Sequence, residues 1–227
     1  MQFFILVLLV CFVFFLYAVY VLAHDDFVLM RKDISAEQVF NVAFLTAFFA
    51  LFSARFFYVL IYPKKIFTTF LGFILFPYFP GLSLVGGILG GIIFLYLYCS
   101  NRRLPVGRFF DFFTIGLLTA MPLGYLGYIL LAGYSFAYLA SFIIYLVFLI
   151  LVLKFILPHS LDREFKDGSL FMSFLLVYSI TATLISFLFI GSAFAINKEH
   201  LTVLVFFIFS LGLFLYQKLS SGRSLKK

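Results

Sequence analysis

Seven apolar runs, each near the roughly twenty residues that a helix needs to cross hydrocarbon, leave this chain few ways to fold. The first, Phe3 to Leu22, contains no charged side chain. A soluble domain could not hide such runs, and this chain has little polar surface to offer water. Of its 227 residues, 65% are apolar and 11% charged, with a mean hydropathy of +1.20. Hydrocarbon forces every backbone donor and acceptor to pair internally, which selects helices. The expectation is an all-α, multi-pass membrane protein: a single transmembrane domain over 1–227 with about seven spans. They fall near 2–23, 38–62, 83–100, 109–131, 134–157, 169–193 and 201–219.

The first run lacks a basic leader and a small-residue cleavage site, and reads as a retained span rather than a removed signal peptide. Ser35-Ala-Glu-Gln38 reads as a capping box opening the second span. Pro63 to Pro80 is apolar but broken by Pro63, Pro77 and Pro80, which suits an interfacial or re-entrant segment.

The cations fix the orientation. With the N-terminus outside, the inward segments hold Arg31, Lys32, Arg102, Arg103, Arg108, Lys154, Arg163, Lys166, Lys218, Arg223, Lys226 and Lys227. The outward ones hold only Lys64, Lys65 and Lys198, and Arg55 lies within a span. That bias places the N-terminus out and the C-terminus in. The net charge of +7 is then a property of the inner face, suited to anionic headgroups, and gives no reason to invoke nucleic acid.

Sidedness brings three features into the outer half. Arg55 lies about two turns below the outer end of the second span. An arginine inside a span is costly and marks a function by default; a lipid phosphate is one partner for it, and snorkelling to the headgroups beside Tyr58 and Tyr62 is the alternative. Gly81 to Gly91 runs from a turn into a glycine-studded helix with Ser83 as its candidate N-cap, a place where an anion can sit. Gly86 and Gly90, like Gly87 and Gly91, are four residues apart and bare one face, for a neighbouring helix or for a lipid chain. Gly124 and Gly127 lie in the outer half of the fourth span.

Other chemistry is sparse. Cys11 and Cys99 have no CxxC partner, so neither a disulfide framework nor a metal site is expected. His24-Asp25-Asp26 reads as a solvated helix terminus, His159 and His200 as polar loop residues, and Asp111 as the partner of Arg108 at i−3.

Several segments resemble the prolipoprotein diacylglyceryl transferases. Ala54-Arg55-Phe56-Phe57-Tyr58 to Tyr62 is similar to that family's arginine–tyrosine segment, and Gly81 to Gly90 to its serine and double-glycine segment. Asp111-Phe112 with Pro122-Leu123-Gly124-Tyr125-Leu126-Gly127-Tyr128 resembles its fourth-span signature, and Gly168-Ser169-Leu170-Phe171 to Tyr178 its late helix. The resemblance covers roughly 40–185. It implies an enzyme of the bacterial inner membrane that moves diacylglyceryl from phosphatidylglycerol to the lipobox cysteine thiol of a precursor protein, with no cofactor. On this resemblance Arg55, Tyr58, Ser83, Gly86, Gly87, Gly90, Gly124 and Gly127 would contact lipid, and Arg55, Tyr125 and Tyr128 are the catalytic candidates. This chain departs from the family pattern where Val85 stands for a histidine, Tyr125 for an arginine, Tyr128 for an asparagine and Ala182 for an arginine, with Gly133 near the family's glutamate. A non-catalytic lipid-binding or assembly protein on the same scaffold is the second reading. A small transporter ranks third, because neither paired repeats nor intramembrane acids are found.

Overall fold

The computed structural model describes residues 2–24, 26–63, 72–73, 81–156, 167–189 and 202–212. The described elements are all helical: α1 (Gln2–His24), α2 (Phe27–Met30), α3 (Ala36–Ile61), α4 (Leu84–Asn101), α5 (Val106–Ala132), α6 (Phe136–Leu151) running into a π-helical turn (Val152–Ile156), and α7 (Ser169–Phe189). An eighth helix, α8, covers Thr202–Gly212. Among these, α1, α3, α4, α5 and α6 are long and apolar enough to cross a membrane, and α7 and α8 contribute shorter apolar helices. The expected set of about seven apolar helices is therefore present. The interfacial reading of Pro63–Pro80 falls mostly outside the described residues.

Local chemistry sets the helix ends. The Ser35 hydroxyl accepts the Gln38 N–H at 3.2 Å, forming the forward half of the capping box. The helix α5 stops at Gly133, whose φ of +89° suits a residue without Cβ and whose N–H closes on the Ile129 carbonyl at 3.1 Å.

The chain divides into two compact units, 1–168 and 169–227. In the first, α3 packs most extensively on α4 and α1 on α5; α6 lies on α5, and α1 also meets α3. The α3 surface explains itself by period. Phe44, Phe48, Phe52, Phe56 and Leu60 recur every four residues and are exposed, as a lipid-facing stripe must be. Val39, Val42, Ala43, Thr46, Ala54 and Arg55 are buried.

A continuous apolar core of Leu16, Val19, Val39, Val42, Leu95 and Phe109 with their neighbours joins the end of α1, the start of α3, the end of α4 and the start of α5. On the orientation expected from the loop cations, these are the inner halves of all four helices. Lipid tails are as apolar as leucine, so close packing and hydrogen bonds hold such helices together rather than escape from water. In the second unit, Tyr178 on α7 meets Phe206 on α8 edge to face at 5.6 Å, and the Ser210 hydroxyl donates to that of Ser179 at 2.9 Å.

Candidate functional site

Arg55 is 2% exposed and organises the outer end of α3. Its Nη2 donates to the Gly72 carbonyl at 2.7 Å, Nη1 to that of Gly81 at 2.9 Å and Nε to that of Phe73 at 3.2 Å. The guanidinium carbon lies 5.9 Å from the centre of the Tyr58 ring. The planar guanidinium gives a different nitrogen to each carbonyl, a spread that the single nitrogen of a lysine ammonium cannot match. The Ser83 N–H bonds the Ala54 carbonyl at 3.0 Å, so the chain on either side of this segment is tied to α3. Gly81, with φ +155°, lies so close to the Tyr58 ring that any Cβ there would collide with it.

Ser83 caps α4, its hydroxyl accepting the Gly86 N–H at 3.2 Å. The glycine face beyond it sits on α3. A Cβ on Gly86 would strike Phe57 and one on Gly90 would strike Ser53. A Cβ on Gly87 would lie 3.4 Å from that of Ala54, and one on Gly91 3.6 Å from that of Ala50. Of the two uses open to this glycine face, contact with a neighbouring helix is the one present, and that helix carries Arg55. Val85, next to Gly86, is buried.

The remaining candidates lie on two other seams. Gly124 and Gly127 face α1: a Cβ on Gly127 would overlap Val7, and one on Gly124 would stand 3.7 Å from the Cys11 sulfur. Tyr125 and Tyr128 face α6. Tyr125 stacks on Tyr145 with ring centres 5.5 Å apart and planes 8° apart, and its hydroxyl hydrogen-bonds Ser141 and Tyr145. Ser141 in turn donates to the Ala137 carbonyl at 2.9 Å. Tyr128 pairs with Tyr138 at 4.6 Å. The described contacts thus gather Arg55, Tyr58, Ser83, Gly86, Gly87 and Gly90 on the α3–α4 seam, and put the other four on α1–α5 and α5–α6. Sequence reasoning missed Ser141 and Tyr145, although the two stand four residues apart and so share one face of α6.

At the opposite end stands a second buried arginine. Arg108 Nε donates to Asp26 Oδ2 at 2.8 Å, Nη2 donates to the same oxygen, and Asp167 lies 3.7 Å away. Asp26 also caps α2, accepting the Val28 and Leu29 N–H groups at 2.8 and 3.0 Å. The expected solvated terminus is therefore corrected for Asp26, which is fully buried because the α2 turn carries it onto α5. Asp111 accepts the Gly168 N–H at 2.7 Å. Asp25, His159 and His200 lie outside the described residues, among which no group of three His, Cys, Asp or Glu side chains is placed to hold a metal ion.

The family model of the prolipoprotein diacylglyceryl transferases matches residues 1–216, nearly the whole chain. No curated protein and no solved structure gives a match.

Proposed function

The chain belongs to the prolipoprotein diacylglyceryl transferase family, and from that premise we propose that it transfers diacylglyceryl from phosphatidylglycerol to a lipobox cysteine at the outer leaflet of the bacterial inner membrane. The observation that carries this reading is Arg55, a buried cation fixed at the outer end of α3 beside the capped glycine helix. In the reaction the precursor's thiol sulfur forms a bond to the terminal glycerol carbon, and the bond from that carbon to the phosphate oxygen breaks. Glycerol phosphate leaves with the bonding pair. The thiol proton goes to solvent or to the departing phosphate, whose second ionisation lies near 6.

Charge builds on the leaving phosphate, so a positive centre held in a low-dielectric layer stabilises the transition state more than the ground state. Arg55 fills that role, with Tyr58 and the Ser83 end of α4 completing the headgroup site. Tyr125 and Tyr128 can supply hydrogen bonds but no charge. The test is transfer of labelled diacylglyceryl from phosphatidylglycerol vesicles to a lipobox peptide by the purified protein. Transfer by the native chain and its loss in Arg55→Ala support the assignment; transfer that survives in Arg55→Ala removes Arg55 from it.

A second reading, a non-catalytic phospholipid-binding protein, is favoured by one observation. Tyr125, at the position of a family arginine, is occupied with Tyr145 and Ser141, a neutral hydroxyl cluster. Retention of phosphatidylglycerol without transfer would select it, and activity appearing in Val85→His would show the scaffold competent and only a proton acceptor missing.

A further inference from the structure

A groove of about 600 Å³ opens between α1 and α3, far from Arg55, lined by Val13, Leu16, Tyr17, Tyr20, Glu37, Phe40 and Asn41. That volume lies in the range of sites that hold small amphiphilic ligands. Its position in the layer follows from the orientation of the chain. The helix α1 descends to its inner end at His24 and α3 rises from its inner end at Ala36, so the groove lies in the inner leaflet. Its polarity is graded along that direction. Val13 and Leu16 line the deep end, towards the middle of the membrane; Glu37 and Asn41 line the shallow end, in the first two turns of α3. Tyr17 and Tyr20, 67% and 42% exposed, stand between, each with an apolar ring and a hydroxyl tip.

We propose that this groove holds one inner-leaflet phospholipid with a primary ammonium headgroup, its chain along Val13, Leu16 and Phe40 and its ammonium at Glu37. The argument from charge is local. The inner face as a whole is basic and would draw anionic lipid. Within the groove, however, the charged lining residue is the Glu37 carboxylate, and the neutral donors of Asn41, Tyr17 and Tyr20 lie deeper, between the apolar end and Glu37, where a phosphate follows the chain. Neutral donors and then a carboxylate, from the chain outwards, complement a phosphate followed by an ammonium, whereas a headgroup without a cation would be repelled by Glu37. Glu37 is exposed in the first helical turn, so neutralising it leaves the packing of α3 intact.

The experiment is native mass spectrometry of the full-length protein released from nanodiscs of equimolar phosphatidylethanolamine and phosphatidylglycerol. It compares the native chain with Glu37→Gln and with Val13→Trp, which fills the deep end of the groove from an exposed position. The expected result is retained phosphatidylethanolamine at least threefold over phosphatidylglycerol, a preference abolished by Glu37→Gln, with total retained lipid reduced by Val13→Trp. An unchanged preference in Glu37→Gln would overturn the proposal, as would phosphatidylglycerol as the retained lipid or a tightly associated protein in place of lipid. Arg55→Ala serves as the control: loss of the outer site leaves this preference unmoved, so the two assignments fail separately.

Discussion

Arg108 and Arg55 are both almost fully buried, at 4% and 2% exposure, yet opposite kinds of partner hold them. Arg108, at the inner end of α5, meets the carboxylate of Asp26, with Asp167 close by. Charge cancels charge there, and the pair welds the α1–α2 turn to α5. Arg55 donates instead to the main-chain carbonyls of Gly72, Phe73 and Gly81, and the sequence holds no acidic residue between Glu37 and Asp111. Carbonyl dipoles satisfy N–H groups without cancelling a unit charge. The inner arginine is accordingly a structural bolt. The outer one holds a segment of backbone, and the function proposed above assigns its charge to an anionic headgroup.

Substitutions can break this contrast. The largest effect on stability is expected at the inner pair: Arg108→Ala leaves Asp26 buried without it, at a cost of about 3–5 kcal/mol, read as loss of folded protein in detergent. Replacing Asp26 and Arg108 together should recover part of that loss in a double-mutant cycle. A milder effect of Arg108→Ala than of Arg55→Ala on thermal unfolding would reverse the roles assigned here. Next come the glycines. Gly86→Ala and Gly90→Ala each force Cβ into α3 and should cost roughly 1–3 kcal/mol, while Gly87→Ala meets ordinary contact and should be nearly silent. Equal effects at Gly87 and Gly90 would show that the seam is looser than described. The smallest change is Tyr125→Phe, which removes one hydroxyl from the Ser141–Tyr145 cluster for about 0.5–1.5 kcal/mol. A loss of transfer beyond tenfold in that variant would move the chemistry from α3 to α5.

Helices, their N-caps and their lipid faces were legible in the sequence because each depends on residues a few positions apart. Ser35 and Ser83 cap as their spacing predicts. The glycine face was legible too, but not its occupant: nothing in the glycine spacing names Phe57 and Ser53 as the groups it receives. Arg55 stood out as a charge in an apolar run, whereas its acceptors are backbone carbonyls, which every residue possesses and no side-chain pattern reveals. The pair between Arg108 and Asp26 spans 82 positions, and a nearer acid, Asp111 at i+3, was the more visible partner. Long-range pairings of this kind emerge only once helices are packed.

The central claim is that the charge of Arg55 selects a phosphate-bearing lipid at the outer end of α3. Its most direct measurement is the retention of phosphatidylglycerol relative to diacylglycerol, which lacks the phosphate, by the native protein and by Arg55→Gln at matched thermal stability. The account predicts a clear preference for phosphatidylglycerol in the native chain and none in the variant. The same preference in both proteins would contradict it.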